Sequence, residues 1–241
     1  MNTEGNPSFG GHFSAVFYRR MVMFYREPRQ WAMVISPFIS VIMTFCLIYA
    51  FTWIYSSGAG GSMTDQVFGE IIGIMFPFLL VTSFASSSGV YTMTPITERH
   101  PTQNIRQLLF LSGLNSFTYY LGLLVADCLL FLFSFILFFI FVAAIGSSTY
   151  GDSLGAFSLS VITFGPALIC FTYTFSTVFT DVNTAFRCQA GFYLLIGFAV
   201  PGLIAGLTLL GPPGLSGWVF AIFYMIDPFF SLFVTQYSIV I

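Results

Sequence analysis

The sequence predicts an all-α polytopic membrane protein. Of its 241 residues, 57% are hydrophobic and only 7% are charged, the mean hydropathy is +0.90, and long uncharged segments recur along the chain. A soluble globular domain carries roughly 25% charged residues. Because a water-soluble fold of this composition would expose too much apolar surface, we expect an integral, multi-pass membrane protein.

The first thirty residues divide into a polar tail and a basic helix. Residues 1–11 are polar and glycine-rich, which predicts a disordered tail. In residues 12–30, Phe13, Phe17 and Phe24 recur near helical spacing with arginines between them. This pattern is typical of an amphipathic helix that lies along the lipid headgroups. A basic flank that orients the first span explains the same residues, and the two interpretations are compatible.

Five segments are long enough to cross the hydrocarbon core, which takes about 20 apolar residues. They are residues 31–55, 71–94, 117–145, 157–179 and 189–210. Residues 215–241 contain a further hydrophobic segment, which Asp227-Pro228 divides near its middle. Because a charge beside a helix breaker is costly at mid-bilayer, we expect a re-entrant pair of short outer helices there. A sixth span is the alternative.

Small residues and helix breakers mark the second and fifth predicted spans. Ser86 to Gly89 read S-S-S-G, and small side chains let helix backbones approach closely in a membrane. Pro201 and Gly202 favour a bend in the fifth span. If the chain forms a pathway through the membrane, we expect these two spans to line it.

The basic residues predict the orientation of the chain. All seven are arginines, and all of them lie on one side of the predicted spans, while the loops on the other side have none. Arg19, Arg20, Arg26 and Arg29 precede the first span, Arg99 and Arg106 lie between the second and third, and Arg187 lies between the fourth and fifth. Under the positive-inside rule, the N-terminus, residues 95–114 and the turn at residues 180–187 therefore face the cytoplasm.

Residues 95–114 form a polar island between the second and third spans. The island holds Glu98, Arg99 and Arg106, a large share of the charge in this chain. A membrane protein with so few charges is expected to place them where water or a partner protein can meet them. The island is therefore our candidate for a cytoplasmic docking element.

The island itself predicts a short helix over residues 103–111. Ser112 and Gly113 should end this helix, and Asn115 can cap the following span. A short cytoplasmic helix that is rigidly joined to two spans can transmit a push from a partner into the membrane. A simple loop whose apolar face rests on the bilayer fits the same spacing.

Asp127 is the one acid well inside a predicted span. An intramembrane carboxylate is a candidate functional group, as a proton carrier or as a polar contact in a pathway. The alternative is that it bonds a neighbouring hydroxyl or arginine near the cytoplasmic end of its helix. We favour the alternative because no arginine or histidine lies within a predicted span to form a relay with it.

The sequence carries no motif that supports a catalytic, metal or nucleic-acid site. The chain has no lysine, so it has no phosphate-binding loop of the G-x-x-x-x-G-K-[ST] form, and it has no H-E-x-x-H. A G-x-S-x-G pattern occurs once, at residues 151–155, but the spacing brings no Ser/His/Asp set together. The four cysteines form no C-x-x-C pair. The net charge of −2 argues against nucleic-acid binding. We therefore expect no catalytic residue, metal or cofactor in this stretch.

Three stretches, in order along the chain, resemble the A-subfamily of ABC transporters. The most extensive is T-E-R at Thr97 to Arg99, followed by I-R-Q-L-L-F-L-S-G-L at residues 105–114 and an aromatic run that leads to Asp127. The others are residues 19–29, before the first span, and residues 173–181, at the exit of the fourth. Two features depart from that family: His100 stands where it has a second glutamate, and only residues 56–66 follow the first span, where it carries a large extracellular domain.

The resemblance implies a type-2 exporter fold, with residues 12–241 as one transmembrane domain. It implies a second transmembrane half or a homodimer partner, and a cytoplasmic nucleotide-binding domain that uses ATP and Mg. That domain would contact residues 97–113 through Glu98, Arg99 and Arg106. Substrates in the family are mostly lipids and sterols.

These observations lead to one main hypothesis and two alternatives. The main hypothesis is the membrane-spanning half of an ATP-driven exporter of lipids or other hydrophobic substrates. Because a nucleotide-binding domain is missing here, we expect either a piece of a longer transporter or a subunit that borrows an ATPase. The alternatives are a non-transporting structural subunit of a larger membrane complex and a proton-coupled carrier that uses Asp127.

Overall fold

The computed structural model of the chain describes residues 9–57, 77–100, 104–145, 154–210 and 214–240. The regular structure within these ranges is helical, which confirms the predicted all-α class. The helices are α1 (Phe9–Arg26), α2 (Pro28–Ser57), α3 (77–87), α4 (Gly89–Arg99), α5 (Ile105–Leu111), α6 (Ser116–Ile145), α7 (Leu154–Ser176), α8 (Val182–Leu210), α9 (Leu215–Ile226) and α10 (Pro228–Val240).

Within the described ranges, two helices are clear candidates for membrane spans. Ser116–Leu137 in α6 and Leu154–Ser176 in α7 are long and apolar enough to cross a bilayer, and α9 with α10 passes the same test only as a bent pair. The first and fifth predicted spans fall on α2 and α8, which are 30 and 29 residues long. Residues 71–76 of the second predicted span lie outside the described residues. The count of five spans and the cytoplasmic N-terminus stay predictions.

The C-terminal hydrophobic segment is broken where the sequence predicts. α9 and α10 meet at Asp227 with a bend of 113°. Asp227 has an extended backbone, as expected of a residue before proline, and its Oδ1 accepts the Phe229 N–H at 2.9 Å. Pro228 opens α10 at the position where a missing N–H costs nothing. Whether this pair crosses the membrane or re-enters it on the outer side stays a prediction.

Both predicted boundaries of the basic helix move in the structure. α1 begins at Phe9, three residues inside the predicted tail, because the Phe9 ring stacks on Phe13 one turn later with centroids 6.4 Å apart. It ends at Arg26 rather than at residue 30, since Pro28 starts a new helix. The predicted tail residues 1–8 lie outside the described residues.

The predicted turn at residues 180–187 is largely the start of α8. Asp181 caps this helix, because its Oδ2 accepts the backbone N–H and the hydroxyl of Thr184, each at 2.9 Å. The backbone N–H of Thr184 is the main reason that the pKa of the Asp181 carboxyl lies below its usual value. The helix therefore begins one residue after Asp181, inside the segment that the sequence predicts to be a turn.

The helices pack around α7, which contacts α4, α6 and α10. α6 also carries α1 and α2, while α8 contacts α4, α9 and α10. Aromatic rings fill the space between them: the Phe164 ring of α7 lies 5.4 Å from Phe84 and 5.6 Å from Phe229, centroid to centroid. Gly165 admits this arrangement, since a Cβ there would lie 2.4 Å from the Phe131 ring of α6.

The small-residue motif of the second predicted span does bring two helices together. A Cβ on Gly89 would lie 1.9 Å from the Phe186 ring of α8, a distance that no real side chain tolerates. The neighbouring Ser88 is fully buried and accepts a hydrogen bond from Gln189 of α8 at 3.1 Å. The motif therefore sets the approach of α4 to α8, as predicted.

Candidate functional site

The short helix α5 is joined to α6 by a rigid turn. The Leu114 N–H bonds the Leu109 carbonyl at 3.1 Å, and the Gly113 N–H bonds that of Phe110 at 3.0 Å. Gly113 has φ +92°, so the helix ends in a Schellman motif that glycine favours. Asn115 then caps α6, because its Oδ1 accepts the Phe117 N–H at 3.2 Å. Both the end of α5 and the cap of α6 lie where the sequence predicts.

The two faces of α5 differ in their contacts. Leu109 and Phe110 pack against a buried cluster that includes Val16 of α1, Leu114 and Tyr119 of α6. On the other face, Leu108 is 61% exposed and Leu111 is 84% exposed. They are three residues apart, so they lie side by side on one surface of the helix. α5 thus rests on α1 and α6 and presents two leucines outward.

Glu98, predicted to meet water or a partner, is buried at the end of α4. Its side chain is 3% exposed, its Oε1 pairs with Arg19 Nη2 of α1 at 2.8 Å, and its Oε2 accepts the Tyr119 hydroxyl of α6 at 2.6 Å. Burial corrects the expectation that this charge faces water, because α1 covers the island and supplies the opposite charge. Direct contact of Glu98 with a nucleotide-binding domain stays a prediction, and it requires this pair to open.

Arg99 and Arg106 take different positions. Arg99 donates to the carbonyls of Thr177 at 3.0 Å, Ser176 at 3.3 Å and Phe179. Ser176 is the last residue of α7 and the other two residues follow it, where carbonyl groups lack helical partners. Arg99 therefore ties α4 to α7.

Arg106 lies on α5, half-buried. Its Nη1 donates to the Tyr120 hydroxyl at 3.2 Å, and its guanidinium lies 5.9 Å from the centroid of the Phe110 ring. Of the three charged side chains that the sequence grouped together, Arg106 alone is held on α5 itself.

Asp127 contacts both an arginine and a hydroxyl. It is fully buried, its Oδ1 accepts Arg20 Nε at 2.7 Å, and its Oδ2 accepts the Tyr173 hydroxyl of α7 at 2.5 Å. The sequence favours a bond from Asp127 to a neighbouring hydroxyl or arginine, and the structure shows both contacts. Each carboxylate oxygen accepts one hydrogen bond.

Arg20 is the centre of a wider buried network. It is 1% exposed, and besides Asp127 it donates to Gln30 Oε1 of α2 at 2.6 Å and to the Val90 carbonyl of α4 at 3.3 Å. Its three partners belong to three different helices. One side chain of α1 therefore holds α2, α4 and α6 together.

The roles of Arg19 and Arg20 are not predicted by the sequence pattern, which is typical of a helix along the lipid headgroups. Instead, they pair with Glu98 and Asp127 on two different helices. One feature of the sequence could have indicated the burial of Arg20: it lies at four-residue spacing between Val16 and Phe24, on one apolar stripe of the helix. In the structure all three side chains are buried.

The buried stripe of α1 packs on α6. At Gly122 of α6 an added Cβ would lie 3.0 Å from the Val16 side chain. The two helices therefore approach closely enough for Arg19 and Arg20 of α1 to reach Glu98 and Asp127. We call Arg19, Arg20, Glu98 and Asp127, with their hydrogen-bond partners, the α1 junction.

A second buried polar cluster lies where α4, α7 and α8 meet. Gln189 Nε2 donates to Ser88 Oγ and to the Tyr193 hydroxyl, both at 3.1 Å, and Tyr193 donates to Thr172 Oγ1 at 3.3 Å. α4 carries the end of the second predicted span and α8 contains the fifth, and within this chain the two helices contact each other. Their role in lining a pathway stays a prediction.

Metal ligands do not cluster in the described part of the chain. There, no three side chains of histidine, cysteine, aspartate or glutamate lie close enough together to hold a metal ion.

Comparison with known proteins identifies similar sequences. The family model described as "ABC-2 family transporter protein" matches residues 62–241, which is more than half of the chain. A protein named ABC transporter A family member 5, from Dictyostelium discoideum, is 27% identical over 126 residues. This match covers 52% of the present chain and 7% of the relative, so the chain spans a small part of that protein. No solved structure matches the chain.

Proposed function

The chain belongs to the ABC-2 family of transporter proteins, and on that premise we propose that it is the membrane-spanning half of an ATP-driven transporter. Its cargo is a lipid or another hydrophobic substrate, as the resemblance to the A-subfamily implies. ATP and Mg are bound by a cytoplasmic nucleotide-binding domain, and this stretch itself carries no catalytic group. A second transmembrane half, or a second copy of this chain, completes the pathway.

The observation that carries this proposal is the division of α5 into a held face and a free face. The held face packs on α1 and α6 through Leu109 and Phe110. The free face presents Leu108 and Leu111, two large apolar side chains that are mostly exposed. Apolar side chains at helical spacing are anchors for insertion into a groove of a partner protein. We therefore assign the free face of α5 to the contact with the nucleotide-binding domain.

Force applied to α5 has a short, stiff route into the bundle. The Schellman turn passes displacement to α6. The ion pair between Arg19 and Glu98 passes it to α1 and α4, and Arg99 links α4 to the end of α7. Since close-packed and ion-paired elements move together rather than deform, a push on α5 displaces these helices as one body.

The proposed coupling is tested with the chain reconstituted in liposomes together with its nucleotide-binding domain. Glu98→Ala, Arg106→Ala and Leu111→Asp are compared with the unchanged protein in ATP hydrolysis and in lipid transport. We expect all three to insert normally. We expect ATP hydrolysis to continue while transport falls about tenfold or more, the loss typical of a broken coupling of a few kcal/mol.

Arg29→Ala provides a matched control, because Arg29 is an exposed arginine at the start of α2. It should leave both activities unchanged. Normal coupling in all three test variants would refute the role of α5. Copurification of the chain with other membrane proteins and without any ATPase would instead identify a structural subunit.

A further inference from the structure

An open cleft lies between α4, α5, α6 and α7. Its volume is about 430 Å³, within the range of roughly 300–1,000 Å³ that small-molecule sites occupy. The wall from α6 and α7 is largely apolar, with Leu121, Leu124 and Cys170 among its residues. Arg99 and Arg106 line the same cleft.

The cleft lies at the ends of the two clearest candidate spans. Its α6 residues run from Phe117 to Leu124, at the start of the span Ser116–Leu137, and its α7 residues include Ser176, at the end of the other span. From Phe117 to Leu124 the helix rises about 10 Å. The cleft therefore extends from the level of the lipid headgroups into the upper acyl-chain region.

The charge in the cleft has one sign. Among its described lining residues are two arginines and no aspartate or glutamate. Arg99 is committed to the carbonyls at the end of α7, but Arg106 has a single hydrogen bond, to Tyr120, among the contacts of the described residues. A guanidinium has five N–H donors in a planar fork that matches a phosphate. Arg106 thus retains donors for an anionic group.

From this geometry we propose that the cleft binds one anionic glycerophospholipid of the surrounding membrane. The phosphate is held by Arg106 and by the positive potential of Arg99. The beginning of one acyl chain lies against Leu121 and Leu124, and the rest of the lipid stays in the bilayer. This lipid is a bound ligand of the α5 region, and the inference does not require lipid to be the transported substrate.

The bound lipid touches the α1 junction through one residue. Tyr173 lines the cleft and donates its hydroxyl to Asp127. A lipid held between α5 and α7 therefore rests on the same tyrosine that supports the buried ion pair. Occupancy of the cleft stabilises α5 against α7.

The test measures lipid binding to the purified full chain in a neutral detergent, without ATP or a transport assay. Native mass spectrometry counts bound phosphatidylglycerol and, as comparison, phosphatidylcholine with the same acyl chains. We expect one phosphatidylglycerol to bind with clear preference. Arg106→Gln should weaken its binding about tenfold, the change for one lost charge-assisted hydrogen bond.

Two further variants and one competitor separate the contributions of the cleft's charge, its acyl-chain wall and the phosphate group to lipid binding. Arg26→Gln removes an exposed arginine outside the cleft and should not change binding. Leu121→Trp keeps every charge but fills the acyl-chain wall, so it should abolish retention of the lipid. Glycerol phosphate, which offers the phosphate without acyl chains, should not compete.

Three results would overturn the inference. They are equal binding of the two lipids, unchanged phosphatidylglycerol affinity in Arg106→Gln, and effective competition by glycerol phosphate. Because none of these measurements involves ATP hydrolysis, they leave the proposed coupling role of α5 to its own test.

Discussion

Replacing Arg20 and Asp127, singly and together, tests whether α1 is fastened to the bundle by a buried ion pair. Both side chains are fully buried, and Nε and Oδ1 are 2.7 Å apart. Removing one partner of such a pair leaves an uncompensated buried charge and costs about 3–5 kcal/mol. Replacing both with apolar residues of similar volume is often close to neutral.

The expected magnitudes follow from the partners that each variant leaves behind. Asp127→Leu strands the Arg20 charge and the Tyr173 hydroxyl, and Arg20→Met strands the Asp127 charge and Gln30 Oε1. We expect each to lower the free energy of unfolding by about 4 kcal/mol. The double variant leaves two neutral groups unpaired and should cost about 3 kcal/mol rather than the sum of about 8 kcal/mol.

The assay is reversible unfolding in mixed micelles, followed by the fluorescence of Trp31 in a protein whose other two tryptophans, Trp53 and Trp218, are replaced by phenylalanine. This indole packs against Phe24 of α1 with ring centroids 4.7 Å apart, so its signal reports the separation of α1 from α2. Arg29→Met, at an exposed arginine, should stay within about 0.5 kcal/mol of the unchanged protein. A coupling energy below about 1 kcal/mol would show that the two charges do not hold α1 in place.

Two further predictions concern helix packing and helix capping. Gly89→Ala should lower the free energy of unfolding by about 1–3 kcal/mol, because its Cβ would overlap the Phe186 ring. In the same unfolding assay the control Gly155→Ala, at a glycine of α7 with open space around it, should be neutral or stabilising. Equal effects at both glycines would contradict the close approach of α4 to α8. The Asp181 cap should make the start of α8 sensitive to acid: since its folded-state pKa is lowered, its contribution is present above the unfolded pKa of about 3.9 and disappears as the pH falls through the folded value. The protection of the Thr184 amide relative to its intrinsic exchange rate should therefore fall in acid in the unchanged protein but not in Asp181→Asn, whose uncharged side chain still caps. An equal loss of protection in both would refute the assignment.

Local patterns in the sequence predict those parts of the structure that depend on neighbouring residues. The all-α membrane class follows from the scarcity of charge. The end of α5 at Ser112-Gly113 follows from a glycine that favours helix ends, and the cap at Asn115 follows from a side chain that favours helix starts. The break at Asp227 follows from the proline after it. Each of these depends on backbone chemistry within a few residues, so the tertiary structure does not change it.

The charges behave differently, because their partners lie on helices that are distant in the sequence. Arg20 and Asp127 are 107 residues apart, and helical spacing alone does not reveal which faces of two helices meet. The polar island predicts a Glu98 that meets water or a partner, yet α1 covers this side chain and Arg19 pairs with its charge. The sequence by itself determined the class of the protein, the end of α5, the break at Asp227 and the family. Only the packing of α1 against α6 decided which charges are buried in pairs and which remain at the surface, because burial of a charge depends on what the rest of the chain brings next to it.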